Sequence, residues 1–166
     1  MLNRPPWQAR LLDRRVLRRA FSVLGPTEAV VEMAAFVTGL WVAGWRPGDA
    51  FPTGQPLAAA SGAAFAAVVI GQMANAFACR SSRHRPGKVG WGSNRLLLAA
   101  VLVELATLAG FLLIGPVART LGHAWPPAVA GLVALTAAPA VLSVDAIDKW
   151  LHARKTAKAS ELYGEL

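Results

Sequence analysis

Two carboxamides, Gln72 and Asn75, stand in the run VVIGQMANAF, inside a stretch from Leu57 to Cys79 that contains no charged residue. Amide oxygens are hard donors, the type that ligates cations such as calcium. On a helix the spacing i, i+3 puts both on one face with Val68 and Ala76, and Gly71, Ala74 and Ala78 let another backbone come close. Two readings of the pair stay open: hydrogen bonding that holds helices together, or ligation of a cation. Two amides cannot complete a cation site, because a dehydrated calcium ion takes roughly six to eight oxygens and needs compensating charge. Further ligands would have to come from other helices, within or outside this chain.

Carboxylates supply the charge. Glu28 and Glu32 lie one helical turn apart in an apolar run, Glu104 sits within another, and Asp145 and Asp148 fall near the end of the last. An acid inside a membrane is costly and faces a bundle interior or a water-filled path, so Glu28, Glu32 and Glu104 are candidates for a proton or cation relay. Each also has a structural reading. Glu28 and Glu32 could occupy the wet half of a helix that begins near Pro26, within reach of Arg18 or Arg19. Glu104 lies deeper and could equally hydrogen-bond to a neighbouring helix. Asp145 and Lys149, four apart, have the spacing of a salt bridge at a helix end. Cys79 and His84 have no companion at metal or nucleophile spacing. No phosphate-binding GxxxxGK[ST] loop, GxGxxG turn or paired-cysteine motif occurs, so no cofactor is expected in this chain and it is not expected to act as an enzyme by itself.

The elements that must carry these residues are apolar and long. Hydrophobic residues make up 55% of the 166, and 17 Lys and Arg oppose 9 Asp and Glu. The bases fall between apolar runs and are not interleaved with aromatics, which argues for a multispan membrane protein and against a nucleic-acid partner. Spanning segments are expected at about 21–45, 57–79, 96–118 and 126–147, giving an all-α integral membrane protein with a basic arm (1–20), a four-helix bundle (21–148) and a tail (149–166). All the Lys and Arg except Arg46 and Arg119 lie in the arm, the second link or the tail, so both termini are expected in the cytoplasm. Trp41, Trp45, Trp91 and Trp125 stand near helix ends as interfacial anchors. In the arm, Leu11, Leu12, Val16 and Leu17 share a side opposite arginines, a pattern that suits a helix on an anionic leaflet. Richness in Ala, Gly, Val, Arg and Pro suggests a bacterial source, hence an inner-membrane location.

Taken in order, these features resemble the C-terminal membrane region of P-type cation-transporting ATPases, the last four of their ten transmembrane helices. LLDRRVLRRAFSVLGPTEA looks like the link into the seventh helix, with its Leu-Gly and Glu-Ala pairs. FAAVVIGQMANAFACRSSR looks like the end of the eighth, SNRLLLAAVLVELATL is similar to the start of the ninth, and PAVLSVDAIDKWLHAR to the close of the tenth. The resemblance covers roughly residues 10 to 155. It implies that Gln72 takes the place where calcium pumps carry a calcium-binding Glu and sodium or proton pumps a Gln. Asn75 then matches an Asn or Asp one turn later. Asp145 matches the Asp of an Asp-Glu pair whose Glu is here Ala146, which implies a structural role.

Such pumps phosphorylate an Asp in an Asp-Lys-Thr-Gly-Thr motif that this sequence does not contain. The resemblance therefore implies a support module: ATP and Mg2+ would act only through a catalytic part elsewhere, and that part, the lipid bilayer or a second copy would be its partners. Two rival expectations remain. One is a stand-alone membrane protein that binds or regulates a pump; the other is a small proton- or cation-coupled transporter using Glu28, Glu32 and Glu104.

Overall fold

The computed structural model describes residues 14–80, 92 and 94–164, with side chains placed for those between 17 and 154. Most of the basic arm and of the second link, with Leu11, Leu12, His84 and Trp91, lies outside the described residues. Helices occupy α1 Arg14–Arg19, α2 Gly25–Val42, α3 Gln55–Ala78, α4 Arg95–Leu113, α5 Gly115–Thr120, α6 Ala128–Leu135 and α7 Ala137–Gly164, and no strand occurs among the described residues. Four continuous stretches are long and apolar enough to cross a membrane: Leu17–Val42, Gln55–Ala78, Arg95–Leu113 and Ala128–Arg154. The chain is an all-α membrane protein with four candidate spans.

Proline decides where these helices bend or stop. Pro26 has no N–H to give the preceding turn, and residues 20–24 widen into a π-helical turn that joins α1 to α2. In that turn the Gly25 N–H reaches back to the Ala20 carbonyl. A Cβ on Gly25 would lie 3.0 Å from that oxygen, so glycine is what lets the turn close. Pro56 starts α3 from the first turn, where its missing N–H costs nothing. Pro116 cannot continue α4; the backbone turns extended at Ile114 and restarts as the short α5. Pro139 similarly interrupts the last span at Thr136, whose hydroxyl donates to the Val133 carbonyl at 2.6 Å. The third apolar run thus breaks before its end, and the fourth continues as helix into the charged tail.

The bundle is packed through small residues. The inward face of α3 presents Ala60, Gly62, Ala63, Ala66, Ala67, Gly71 and Ala74, and α2, α6 and α7 lie against it. A Cβ on Gly39 would come within 2.7 Å of Ala60 Cα, and one on Gly62 within 2.0 Å of the Ala124 carbonyl oxygen. Such close approach is how helices associate where lipid is as apolar as any side chain. Helix α4 is held less: it touches α3 through Leu108, Leu112 and the ring of Phe111 stacked on Phe65 at 6.0 Å, while Leu96, Leu102, Val103 and Leu113 point outward.

Helix directions place like with like. Ala78 at the end of α3 receives hydrogen bonds from Arg19 and from Lys149 of α7, so the start of the first span, the end of the second and the late part of the last share one end of the bundle. At the other end the Ala124 N–H donates to the Ala58 carbonyl at 2.9 Å, and His123 stacks on Phe65.

Candidate functional site

Glu28 lies on the first turn of α2, with 9% of its surface exposed. Its Oε2 accepts a hydrogen bond from Gln72 Nε2 of α3 at 3.1 Å. Its Oε1 is buried and has no hydrogen-bond partner among the described residues. Gly71 of α3 lies beside the glutamate: a Cβ there would meet Glu28 Cγ at 3.4 Å and Ala137 Cβ of α7 at 3.9 Å, both ordinary contacts. Gln72 itself is on the exposed side of the pair. With its amide nitrogen committed to Glu28, its amide oxygen stays available as an acceptor.

Asn75, one turn along α3, is half-buried and does not join this pair. Its Oδ1 accepts the thiol of Cys79 within the same helix at 3.4 Å, a weak bond that leaves acceptor capacity on the oxygen. Glu32, a turn beyond Glu28, is partly exposed and makes no hydrogen bond among the described residues. Glu104 is partly exposed on α4 and bonds to none of the others. The structure therefore brings together Glu28 and Gln72, and leaves Glu32, Asn75 and Glu104 as separate polar groups on three helices.

Arg19 and Arg18, within reach of Glu28 by sequence, go elsewhere. Asp145 of α7 is fully buried, and Arg19 and Lys149 close on its two oxygens, Lys149 at 2.7 Å as the i, i+4 partner. Both cations also donate to the Ala78 carbonyl, Lys149 at 2.9 Å and Arg19 at 3.4 Å. The cluster joins three spans, and the free carbonyl at the end of α3 accepts charge as a helix C-terminus should. Next to it Arg18 bonds to His152, whose ring also meets the Asp148 carboxylate at 3.3 Å. Three basic side chains here face two carboxylates, a histidine and the Ala78 carbonyl, an arrangement that ties helices together.

The contribution of Arg19 to the Asp145 cluster was not readable from spacing, since 126 residues separate the two. The Glu28–Gln72 pair had one sequence signal, a glycine beside the glutamine. Among the described residues no group of three or more His, Cys, Asp or Glu side chains converges as a metal site. The oxygens on offer to a hard cation are instead a carboxylate and amides: Glu28 Oε1, Gln72 Oε1 and Asn75 Oδ1. Of these only Glu28 can carry a negative charge.

None of the curated proteins matches the chain. A protein-family model does, over residues 1–151, and its description is "Cation transporting ATPase, C-terminus". With nearly its whole length matched and four apolar helices to fit, the chain belongs to the family of C-terminal membrane regions of cation-transporting ATPases.

Proposed function

We propose that this bundle is the C-terminal support module of a P-type cation pump, working with a catalytic part that carries the ATP- and Mg2+-dependent phosphorylation. The family membership carries this reading. Its site is the amide-bearing face of α3: Gln72, steadied by Glu28, and Asn75 would present oxygens to a cation whose remaining ligands come from the transport helices of the catalytic part. Both termini would lie in the cytoplasm of a bacterial inner membrane. Supporting that orientation, Arg18, Arg19, Arg80, Arg95, Lys149 and Arg154 gather toward one end, and Arg46 and Arg119 stand apart from them.

Co-expression tests the role. Membranes containing a catalytic pump part that lacks its last four helices should regain ATP-driven cation uptake when this chain is supplied. Gln72→Ala should raise the cation concentration needed for half-maximal uptake while the two parts still co-purify. Full uptake without this chain would refute the module role, and unchanged cation dependence in Gln72→Ala would remove Gln72 from the ligand set.

A further inference from the structure

The carboxyl of Glu28 is buried in the spanning part of the bundle and only half satisfied, Oε2 taking the Gln72 N–H and Oε1 taking nothing. Among the described residues no positive charge pairs with it. Helix α3 has no charged residue from Gln55 to Ala78, and α6 has none from Ala128 to Leu135. On α7, which packs against α2 and reaches Gly71 beside Glu28 at Ala137, the first charged groups are Asp145, Asp148 and Lys149. Asp145 and Lys149 are closed on each other and on Arg19, and Asp148 faces His152. On its own helix the nearest charge is Glu32, another acid. An ionised carboxylate in such a place has lost water and gained no counter-charge, among the most costly states a side chain can hold.

The partner that Glu28 does have suits its other state. A primary amide and a carboxylic acid are complementary: the amide N–H donates to the acid's carbonyl oxygen while the acid's O–H donates to the amide's oxygen, closing a ring of two hydrogen bonds. Half of that ring is in place as the Gln72 Nε2 to Glu28 Oε2 bond. The other half would need a hydrogen on Oε1, which is buried with no hydrogen-bond partner among the described residues.

We propose that Glu28 and Gln72 form a proton-binding site, with one exchangeable proton carried on Glu28 Oε1 and donated to Gln72 Oε1. Binding takes a proton from water and changes the charge on Glu28 from minus one to zero; no other bond forms or breaks. Gln72 lies on the exposed side of the pair and gives the proton its way in and out. The functional meaning of the site rests on the transport role proposed for Gln72. A cation that draws the Gln72 oxygen as ligand opens the ring, and the ionised Glu28 then supplies the negative charge that the amides lack.

Infrared spectroscopy of the full chain in lipid vesicles, taken across a pH series, tests the site without any catalytic part. The expected result is a carbonyl-stretch band of a protonated carboxylic acid that is lost as pH rises. It should be absent in Glu28→Gln, shift to higher frequency in Gln72→Leu, where the acid loses its amide partner, and persist in Glu32→Gln and Glu104→Gln. The amide bands in the same spectra report whether each variant stays helical. Identical acid bands in the wild type and in Glu28→Gln at every pH at which the chain is helical would overturn the proposal. A chain that shows the band but fails to restore transport removes the module role alone; one that restores transport without the band removes the proton site alone.

Discussion

At the scale of single residues, the most constrained position is Asp145. Its carboxylate holds Arg19 and Lys149, and with Lys149 5% exposed and Asp145 fully buried, neither of those two has water to fall back on. Removing one member of a buried ion cluster leaves uncompensated charge behind, which typically costs 3–5 kcal/mol, roughly, whereas exchanging the whole set for apolar groups is often neutral. Asp145→Ala should accordingly lower stability by about 3 kcal/mol or more, read as a fall in the thermal unfolding midpoint in detergent. The triple variant Arg19→Met, Asp145→Leu, Lys149→Met should recover much of that loss. Equal midpoints for the single variant and the wild type would show that the cluster is not holding the spans. The sequence exposed half of this cluster, because Asp145 and Lys149 belong to one helix and four-residue spacing is enough to pair them. Arg19 was hidden because its choice between Glu28 and Asp145 depends on how the first span is rotated against the last. For the same reason Gln72 and Asn75, which share a helix face, turn out to have different partners: Glu28 across the interface for one, Cys79 in the same helix for the other.

At the scale of elements, apolar runs were enough to locate the helices, but Pro26, near which the first helix was expected to begin, lies inside a span that runs continuously from Leu17 to Val42. The breaks at Ile114 and Thr136 were less visible, since Pro116 and Pro139 each lie inside a run that remains apolar on both sides. Packing between elements is where glycine matters, and the glycines divide by what a side chain would meet. At Gly62 a Cβ would lie 2.0 Å from the Ala124 carbonyl oxygen, which is backbone and cannot swing aside. At Gly110 the nearest atom is the Ile114 Cδ1 at 3.9 Å, an ordinary contact. Gly62→Ala should therefore force the segment that carries Ala124 away from α3 and cost about 1–3 kcal/mol, the usual penalty for overpacking. Gly110→Ala should be neutral or stabilise by up to about 1 kcal/mol, because alanine favours a helix interior. Thermal midpoints of the two variants in one detergent should move in opposite directions or differ by several degrees. Coincident midpoints would mean that the close approach at Gly62 is not retained in the membrane.

At the scale of the whole molecule, the arrangement has a tight part and an open part. Spans one, two and four interlock through small residues and the Asp145 cluster, while α4 leaves most of its surface to lipid or to a neighbouring protein. The direction in which this assembly crosses the membrane is open to a direct test, because the chain carries its own probe of it. Cys79 is its sole cysteine, and it is exposed at the end of α3, one residue from Ala78, whose carbonyl anchors Arg19 and Lys149. If that end faces the cytoplasm, a membrane-impermeant thiol reagent should label Cys79 in inside-out vesicles and leave it unlabelled in sealed right-side-out ones. A second variant, Cys79→Ser with Gly48→Cys, puts the thiol in the loop between the first two spans, where the backbone is exposed and a Cβ would meet nothing within 4 Å. The positive φ of Gly48, 103°, makes cysteine strained there, so the neighbouring Asp49→Cys serves as the companion in a loop that already accepts a side chain. Both loop thiols should show the reverse pattern, reacting from outside. Labelling of Cys79 from the outside would invert the bundle, setting its arginines against the rule that positive residues stay on the cytoplasmic side. The proton held by Glu28, nearer the Cys79 end than the loop end of its span, would then open toward the opposite compartment, so the same labelling decides from which side Gln72 and Glu28 are reached.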